Sequence, residues 1–419
     1  MKLKLMVMLA VVTSFGPFSL DLYLPGLPDL RTELAADAST AHLTVTACIA
    51  GLALGQLCVG LVPERFGRRP PMLAGMTIWI VATLACAAAP TIETVMAFRL
   101  VQGFGAGIGM AVVRVVIADL DPDKMARHVS RMMLILAAVP VLAPSLGAVV
   151  LSFTDWRGVF VLLAVIGVGF VAAIWRWLPE SHPVEARGAA AGGARRTVAR
   201  YGVLLRNPRF LVPVATSGAA LGVMFSYIGD SAFVFRDGYG FSEMQYGVLF
   251  GVNAVALIAG IQVSPVLAER IGPRPILLGA SAVGSLGAVA MVGFAASGAG
   301  GALAVAVALG FVLFCAGSLV PLSTAAAIDA DLANRAVASG LMGAAQFGIG
   351  GFFGALPAVL PGHGAVPLGL VAGLCLLTAC VLSLLGARRP VPTSAPLLTA
   401  TPHGVVSPVV DLAEPRRSA

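Results

Sequence analysis

The sequence predicts an all-α membrane protein with about 12 transmembrane helices, arranged as two pseudo-symmetric halves of six helices each. Apolar residues make up 58% of its 419 residues and charged residues only 11%, whereas an ordinary soluble domain is about one-quarter charged. The charges cluster between long uncharged stretches, each long enough to cross a bilayer as a helix. A seven-residue motif also recurs at the same place in the two halves.

The predicted spans are apolar stretches of about 20 residues. They cover residues 4–27, 42–62, 71–89, 92–118, 129–153, 158–178, 209–235, 244–268, 276–297, 301–326, 336–359 and 365–386. A membrane β-barrel would instead show alternating segments of about 10 residues. The apolar start of the chain runs on without a small-residue cleavage site, so we expect a first spanning helix and not a signal peptide.

Lysine and arginine residues predict the orientation. With both termini in the cytoplasm, the outer loops hold only Arg31, Arg157 and Arg236, and nearly all other basic residues fall on the inner side. This distribution follows the positive-inside rule and predicts a multi-pass protein of the cytoplasmic membrane. It also accounts for the net charge of +7 without a nucleic-acid partner.

Composition divides the chain into four parts. Residues 1–178 form the N-terminal half, 209–387 form the C-terminal half, and 179–208 form a cytoplasmic linker rich in glycine, alanine and arginine. Such a composition predicts a flexible connection. The tail, residues 388–419, is rich in proline, serine and threonine and is predicted to be disordered.

An internal repeat supports the two-half arrangement. Residues 64–70 and 269–275 lie 205 positions apart and are identical at five of seven positions. Asp21 in the first span and Asp230 in the seventh are 209 positions apart. Parallel repeats of this kind are typical of transporters, whose substrate site lies near the membrane midplane between the halves. The chain has no GxxxxGK[ST] nucleotide-binding motif, so an ion gradient must drive transport.

Several motifs carry a resemblance to a known family. They are residues 60–70, 21–28, 99–103, 143–147 with Pro140, 155–157 and 178–181. Together they resemble the major facilitator superfamily and, within it, the Bcr/CflA subfamily of drug:proton antiporters, named for bicyclomycin and chloramphenicol resistance. The chain departs from the family pattern at Glu64, Ala148 and Ala118, and Asp230 is an acid where the family usually has none. That last departure leaves the substrate class open.

Asp21 and Arg99 are the predicted proton-coupling residues. An acid inside an apolar span costs about 3 kcal/mol on insertion scales and is usually functional. The alternative is a helix end that is close enough to the surface to be solvated. Arg99 lies at a similar predicted depth, about 10 Å below the outer surface. The resemblance implies that Arg99 tunes the protonation of the acid; the alternative is a structural partner for backbone carbonyls.

Two further motifs have predicted mechanical roles. The resemblance implies that the loop between the second and third spans closes an inner gate against the other half and Asp119, although simple topogenic charge would explain part of the loop. It also implies that a proline–glycine motif in the fifth span limits leak at an interface with the eighth span, with ordinary helix packing as the alternative. The gate residues are Gly60, Glu64, Arg65, Gly67, Arg68, Arg69 and Asp119, and the fifth-span residues are Pro140, Pro144 and Gly147.

The predicted substrate cavity combines aromatic and polar side chains, which suit a promiscuous apolar pocket. Its candidates are Tyr23, Gln102, Phe225, Tyr227 and Asp230; packing against lipid is the alternative for the aromatic residues. Three interpretations of Asp230 stay open. It is a counter-ion for a cationic substrate, which we favour, a second proton site, or an acid at a solvated helix end that pairs with Arg236.

The predicted function is proton-driven export of a small amphipathic compound, such as an antibiotic, by a monomer in the bilayer. The sequence predicts no cofactor, no metal site and no enzymatic activity; its six cysteines form no CxxC pair. A proton-coupled importer on the same fold remains an alternative. A membrane enzyme or receptor is disfavoured, since the five histidines are placed near loops or in the tail: His42, His128, His182, His363 and His403.

Overall fold

The computed structural model describes residues 3–57, 67–120, 139, 142–178, 180, 193–330, 335–360 and 364–387. Eleven helices in these ranges are long and apolar enough to cross a membrane, which confirms the all-α membrane fold. The helices are α1 (Leu3–Asp21), α2 (Leu27–Glu33), α3 (Ala38–Leu57), α4 (Arg69–Ala87), α5 (Ile92–Leu120), α6 (Leu142–Leu151), α7 (Trp156–Trp177), α8 (Gly193–Leu204), α9 (Pro208–Ala232), α10 (Glu243–Ile271), α11 (Pro273–Ser297), α12 (Gly301–Asp329), α13 (Arg335–Val359) and α14 (Ala365–Ala387).

Helix α6 belongs to the fifth predicted span, which is described only in part. Following the predicted orientation, we call the end of the bundle that holds α2 and the turn at residues 87–92 the outer end. Pro140, Glu64, Arg65 and Gly60 lie outside the described residues.

The first predicted span is broken near its outer end. Helix α1 ends at Asp21, a 3-10 turn covers Leu24–Gly26, and α2 then continues toward the outer surface. Pro25 lies in the first turn of this 3-10 segment, and Pro28 lies in the first turn of α2. Neither proline can donate the backbone hydrogen bond that a continuous helix needs. The break therefore places Asp21 at a helix end that is nevertheless buried, with 1% of its surface exposed.

Part of the predicted linker is helical. Helix α8 occupies residues that were expected to be flexible, and its last residue, Leu204, packs in a buried cluster with Phe210, Val214 and Leu341. Burial of these apolar side chains on the C-terminal half stabilises the helix. Residues 193–204 are therefore helical where flexible chain was expected, while the division of the chain at residues 179–208 stays a prediction.

The two halves repeat the same close helix packing. A Cβ at Gly51 of α3 would lie 2.0 Å from the carbonyl oxygen of Leu100 in α5. In the C-terminal half, a Cβ at Gly260 of α10 would lie 2.1 Å from the carbonyl oxygen of Phe314 in α12. Only glycine lets the backbones approach this closely, and small residues are the usual device for packing membrane helices.

The described end of the repeated motif, residues 67–70 and 272–275, begins with a glycine in the same backbone region in both halves. Gly67 has φ = 89° and Gly272 has φ = 83°, a region that glycine adopts far more readily than other residues. Each turn leads into a helix, α4 or α11, with proline in its first turn, where the missing N–H costs nothing. The sequence repeat is therefore also a structural repeat.

Candidate functional site

The Asp21 carboxyl group lies at the boundary between the two halves. It is close enough to the hydroxyls of Tyr227 in α9 and Tyr246 in α10 to interact with them electrostatically. Its Oδ1 atom is buried and has no hydrogen-bond partner among the described residues. A buried carboxyl without a donor is costly when ionised, so this position favours a group that can bind a proton.

Other buried polar atoms without partners lie beside Asp21 in the C-terminal half. Tyr227 stacks on Phe250 with ring centroids 4.7 Å apart and an interplanar angle of 19°. Within the described part of the chain, neither the Tyr227 hydroxyl nor Asn253 Nδ2 has a partner in full hydrogen-bond geometry, although these two side chains lie close enough to interact with each other. The hydroxyl of Tyr246 is satisfied, since it lies 2.9 Å from Ser231 Oγ. Buried polar groups without partners are uncommon and call for an explanation; here they offer donors and acceptors to a bound molecule.

Arg99 is fully buried and faces the N-terminal half. Its Nη1 atom donates to the carbonyl oxygen of Ser19 at 2.9 Å and to Gln102 Oε1 at 2.6 Å. Its guanidinium lies over the ring of Tyr23, 4.3 Å from the centroid. No described carboxylate pairs with it. Because Ser19 belongs to the last turn of α1, Arg99 places a positive charge at the negative end of that helix dipole.

The structure does not bring the side chains of Arg99 and Asp21 together. Arg99 contacts Ser19 and Tyr23, which flank Asp21 in the chain, while the Asp21 carboxyl faces the C-terminal half. The contact is therefore with the backbone and the neighbours of the acid. Tuning of Asp21 by Arg99 stays a prediction, and any such effect acts through the end of α1.

Three predicted cavity residues lie in packed regions. The hydroxyl of Tyr23 is 2.9 Å from Thr44 Oγ1, and Gln102 Nε2 donates to Thr83 Oγ1 at 2.7 Å. Phe225 packs against Phe347 with centroids 5.6 Å apart. Each of the three predicted residues is almost completely buried.

Asp230 forms a hydrogen-bonded contact across the two halves with His42 of α3. Its Oδ1 atom is 2.9 Å from His42 Nδ1, and His42 Nε2 lies 2.7 Å from the carbonyl oxygen of Gly354 in α13. His42 was predicted to lie near a loop and was given no functional role. The sequence did offer an indication, because a histidine at the start of one predicted span can reach an acid near the end of another span on the same side of the membrane.

Arg236 is not the partner of Asp230. It donates to the carbonyl oxygen of Pro25, and it lies 3.3 Å from Asp29 and 3.3 Å from Glu243. Asp29 and Pro25 belong to the other half. The interpretation of Asp230 as a helix-end acid that pairs with Arg236 was therefore wrong.

A further ion pair crosses between the halves at the outer end. Arg31 lies 2.9 Å from Asp237. Arg236 and Asp237 both lie in a π-helical turn, Phe233–Gly238, that continues α9. Such turns are rare and frequently occur at functional sites. Together these contacts join the halves at the outer end in this structure.

The described part of the signature loop contacts its own half. The backbone N–H groups of Arg68 and Arg69 lie 2.8 Å and 3.3 Å from the two carboxylate oxygens of Glu180, which caps the N-terminus of α4. Arg69 Nη2 also donates to the carbonyl oxygen of Trp175. The side chain of Asp119 lies outside the described residues. The inner-gate role of these residues stays a prediction.

Helix α6 contacts the C-terminal half at Pro144 and Ser145, and the role of the proline–glycine motif in limiting leak stays a prediction. A Cβ at Gly247 of α10 would lie 3.3 Å from the carbonyl oxygen of Pro144, and Ser145 Oγ is 3.3 Å from the carbonyl oxygen of Gly247. Gly147 instead approaches the first span, since a Cβ there would lie 2.0 Å from the carbonyl oxygen of Leu22. The motif thus touches both the eighth predicted span and the residue that follows Asp21.

Comparisons with known proteins agree with this architecture. A family model described as Major Facilitator Superfamily matches residues 9–355. The chain is 35% identical over 262 residues to an uncharacterized MFS-type transporter, YdgK, of Bacillus subtilis, covering 62% of this chain and 65% of that protein. It is 30% identical over 338 residues to the multidrug resistance protein MdtL of Escherichia coli, covering 79% of this chain and 82% of that protein.

Two further matches extend over most of the chain. A bicyclomycin resistance protein homolog of Haemophilus influenzae is 24% identical over 378 residues, covering 88% of this chain and 92% of that protein. The crystal structure of a D-xylose–proton symporter superposes with a TM-score of 0.70 at 15% identity, covering 91% of this chain and 96% of that one; this likeness concerns the fold alone. The protein is therefore a transporter and not an enzyme, and it belongs to the Major Facilitator Superfamily, with relatives of the Bcr/CflA drug-resistance type.

Proposed function

We propose that the protein exports a small amphipathic compound, such as an antibiotic, in exchange for protons across the cytoplasmic membrane. The observation that carries the proposal is the burial of Asp21, which is 1% exposed, has an Oδ1 atom without a hydrogen-bond partner among the described residues, and interacts electrostatically with Tyr227 and Tyr246 of the other half. In this proposal, the chain acts as a monomer with both termini in the cytoplasm.

Asp21 can couple proton binding to substrate binding because both would use the same buried position. Ionisation of a buried carboxyl without donors is unfavourable, so the group holds a proton when the surrounding space is dry and empty. A substrate that brings a positive charge or hydrogen-bond donors favours release of that proton. Binding of the proton and of the substrate then exclude each other, which is the basis of antiport.

The apolar and aromatic surroundings favour an amphipathic substrate. The stacked rings of Tyr227 and Phe250 offer a flat apolar face, while the Tyr227 hydroxyl and the Asn253 amide offer hydrogen bonds. Mostly apolar pockets with a few polar groups are typical of small-molecule sites. The names of two relatives, a multidrug resistance protein and a bicyclomycin resistance protein homolog, support export and not import.

A proton gradient supplies enough energy for useful export. One proton crossing about 100 mV yields about 2.3 kcal/mol, and each pH unit adds about 1.4 kcal/mol. A substrate gradient of roughly tenfold to several hundredfold per proton is therefore reachable.

The test begins with a drug-susceptibility panel in an efflux-deficient bacterial host. Cells that express the parent protein should resist at least one compound, and Asp21→Asn should abolish that resistance at equal protein abundance in the membrane. Asp155→Asn is the matched control, since Asp155 caps α7 by accepting from Gly158 N at 3.0 Å and asparagine caps equally well. Full resistance with Asp21→Asn would contradict the role of Asp21, and a parent that protects against no compound would contradict export.

A further inference from the structure

The contact between His42 and Asp230 holds a buried imidazole in one fixed position. The imidazole of His42 lies in α3 of one half, and its two nitrogens contact two different helices of the other half: Asp230 Oδ1 in α9 at 2.9 Å and the carbonyl oxygen of Gly354 in α13 at 2.7 Å. His42 is 1% exposed, and 13% of the Asp230 side chain is accessible. The Asp230 carboxylate is therefore the more accessible member of this pair.

Glycine makes room for the imidazole ring. A Cβ at Gly229, the residue before Asp230, would lie 2.3 Å from His42 Nε2 and 2.5 Å from His42 Cε1. Any larger residue at this position would displace the ring from α9. The ring is thus held between Asp230 and Gly354 by a surface that fits it.

The hydrogen-bond partners determine how many protons the pair holds. A carbonyl oxygen can only accept, so His42 Nε2 must carry a hydrogen that it donates to Gly354. The second nitrogen of a neutral ring is then an acceptor, whereas an ionised carboxylate is also only an acceptor. The contact at 2.9 Å therefore requires one additional proton, either on His42 Nδ1 or on the Asp230 carboxyl.

We propose that His42 and Asp230 form a second proton-binding site, which takes up one proton when the outer ends of the two halves close. Closure joins neutral imidazole, carboxylate and a proton from water into one hydrogen-bonded pair, and an N–H or O–H bond forms. Opening separates the two side chains, that bond breaks, and the proton returns to water. This inference rests on the alternating access of the proposed function but not on export itself.

Most of the charged side chains around this pair are bonded to other partners. None of those contacts involves His42 or Asp230, so the additional proton is assigned to the pair itself. At the outer interface, Arg31 pairs with Asp237, and Arg236 pairs with Asp29 and Glu243. Glu33 of α2 pairs with Arg157, and Arg99 of α5 is bonded to Ser19 and Gln102. Asp21, close to Tyr227 and Tyr246, is the titratable group of the proposed transport site. The experiment must therefore separate the effect of Asp21 on the pH dependence of outer closure from the effect of His42 and Asp230. Glu93 and Asp37 are exposed.

The experiment measures outer closure as a function of pH. The full chain, in lipid nanodiscs, carries spin labels on unnatural amino acids at Thr91 and Met244, which lie at the outer end of different halves; Met244 is 49% exposed. Pulsed electron paramagnetic resonance then gives the ratio of closed to open molecules between about pH 5 and about pH 9, on both sides of the unperturbed histidine pKa of about 6.5. Because the closed state holds one more proton, the ratio should rise as pH falls, by up to about tenfold per pH unit.

Asp230→Asn is the decisive variant. Its amide can donate to His42 Nδ1 without an added proton, so closure should remain possible. The number of protons taken up on closure, which sets the slope of the pH response, should fall by about one. Asp237→Asn is the matched control, since it also removes one carboxylate from an ion pair between the halves at the same end, 2.9 Å from Arg31, and it should keep the full response. His42→Gln should lose the response as well, which guards against a folding defect peculiar to one variant.

The outcomes separate this inference from the proposed function. A parent protein whose outer distance does not respond to pH, or an Asp230→Asn variant with the parental response, would overturn the proton site. Asp21→Asn should abolish export yet retain the closure response. A parent that closes on protonation and exports no compound leaves the proton site standing and contradicts the exporter alone.

Discussion

Gly103→Ala tests whether the close approach of α3 and α5 holds the N-terminal half together. A Cβ at Gly103 would lie 2.0 Å from the carbonyl oxygen of Cys48, whereas ordinary van der Waals contact begins at 3.4 Å. The next nearest atoms, at 2.8 Å and 3.0 Å, also belong to the backbone of α3. No side chain can rotate away, so the two helices must separate by about 1.4 Å.

The expected loss follows from two opposing effects. Overpacking that shifts a backbone typically costs about 1–3 kcal/mol. Replacing glycine by alanine inside a helix recovers up to about 1 kcal/mol. We therefore expect Gly103→Ala to destabilise the protein by about 1–2 kcal/mol. Arg99 and Gln102, on the preceding turn of α5, should lose their alignment with the end of α1.

The assay is thermal unfolding of purified protein in detergent, followed by the loss of the monodisperse size-exclusion peak. Gly169→Ala in α7 is the matched control, since a Cβ there would meet nothing within 4 Å, and it should be neutral or slightly stabilising. Gly260→Ala, at the equivalent interface of the other half, should be destabilised like Gly103→Ala. If the unfolding temperature of Gly103→Ala equals or exceeds that of the parent, the two helices can separate at little cost in stability, and the reasoning fails.

Three further substitutions have defined outcomes. Arg236→Gln should favour opening of the outer end, seen as a longer outer distance by spin labelling, because its contacts with the other half are lost; an unchanged distance would contradict this. Gly67→Val should lower the rate of export more than substrate binding, since valine is strained at φ = 89°; Gly272→Val, which is equally strained at φ = 83°, controls for strain alone, and an equal loss of export in both variants would contradict a special role for the first turn. Gly229→Ala should displace His42 and reduce outer closure at low pH, and an unaltered response would show that the ring need not lie against α9.

Sequence patterns predicted the spanning helices well because membrane spans are defined by length and apolarity. Helix α7, Trp156–Trp177, lies within two residues of its predicted range 158–178. The break between α1 and α2 was missed, although Pro25 and Pro28 were visible in the sequence. Prolines are common in spanning helices, so the sequence does not say which of them ends one.

The candidate site was predicted in part. The importance of Asp21 followed from the cost of an acid in an apolar span, and its burial agrees with that argument. The direction in which its side chain points did not follow, because equal depth on two helices does not fix rotation about their axes. For the same reason, the similar predicted depth of Arg99 allowed a contact with the acid but did not establish one, and its guanidinium lies over the ring of Tyr23.

Helix α9 links the two proton sites that we propose. Tyr227 and Asp230 are three residues apart, so they lie on the same face of this helix, one beside Asp21 and the other bonded to His42. A movement of α9 away from the N-terminal half would therefore open both contacts together. A proton held by His42 and Asp230 opposes that movement, while a substrate that enters beside Asp21 and Tyr227 bears on the same face of α9. Coupling between the sites then needs no chain of residues, because one rigid helix carries a residue of each site.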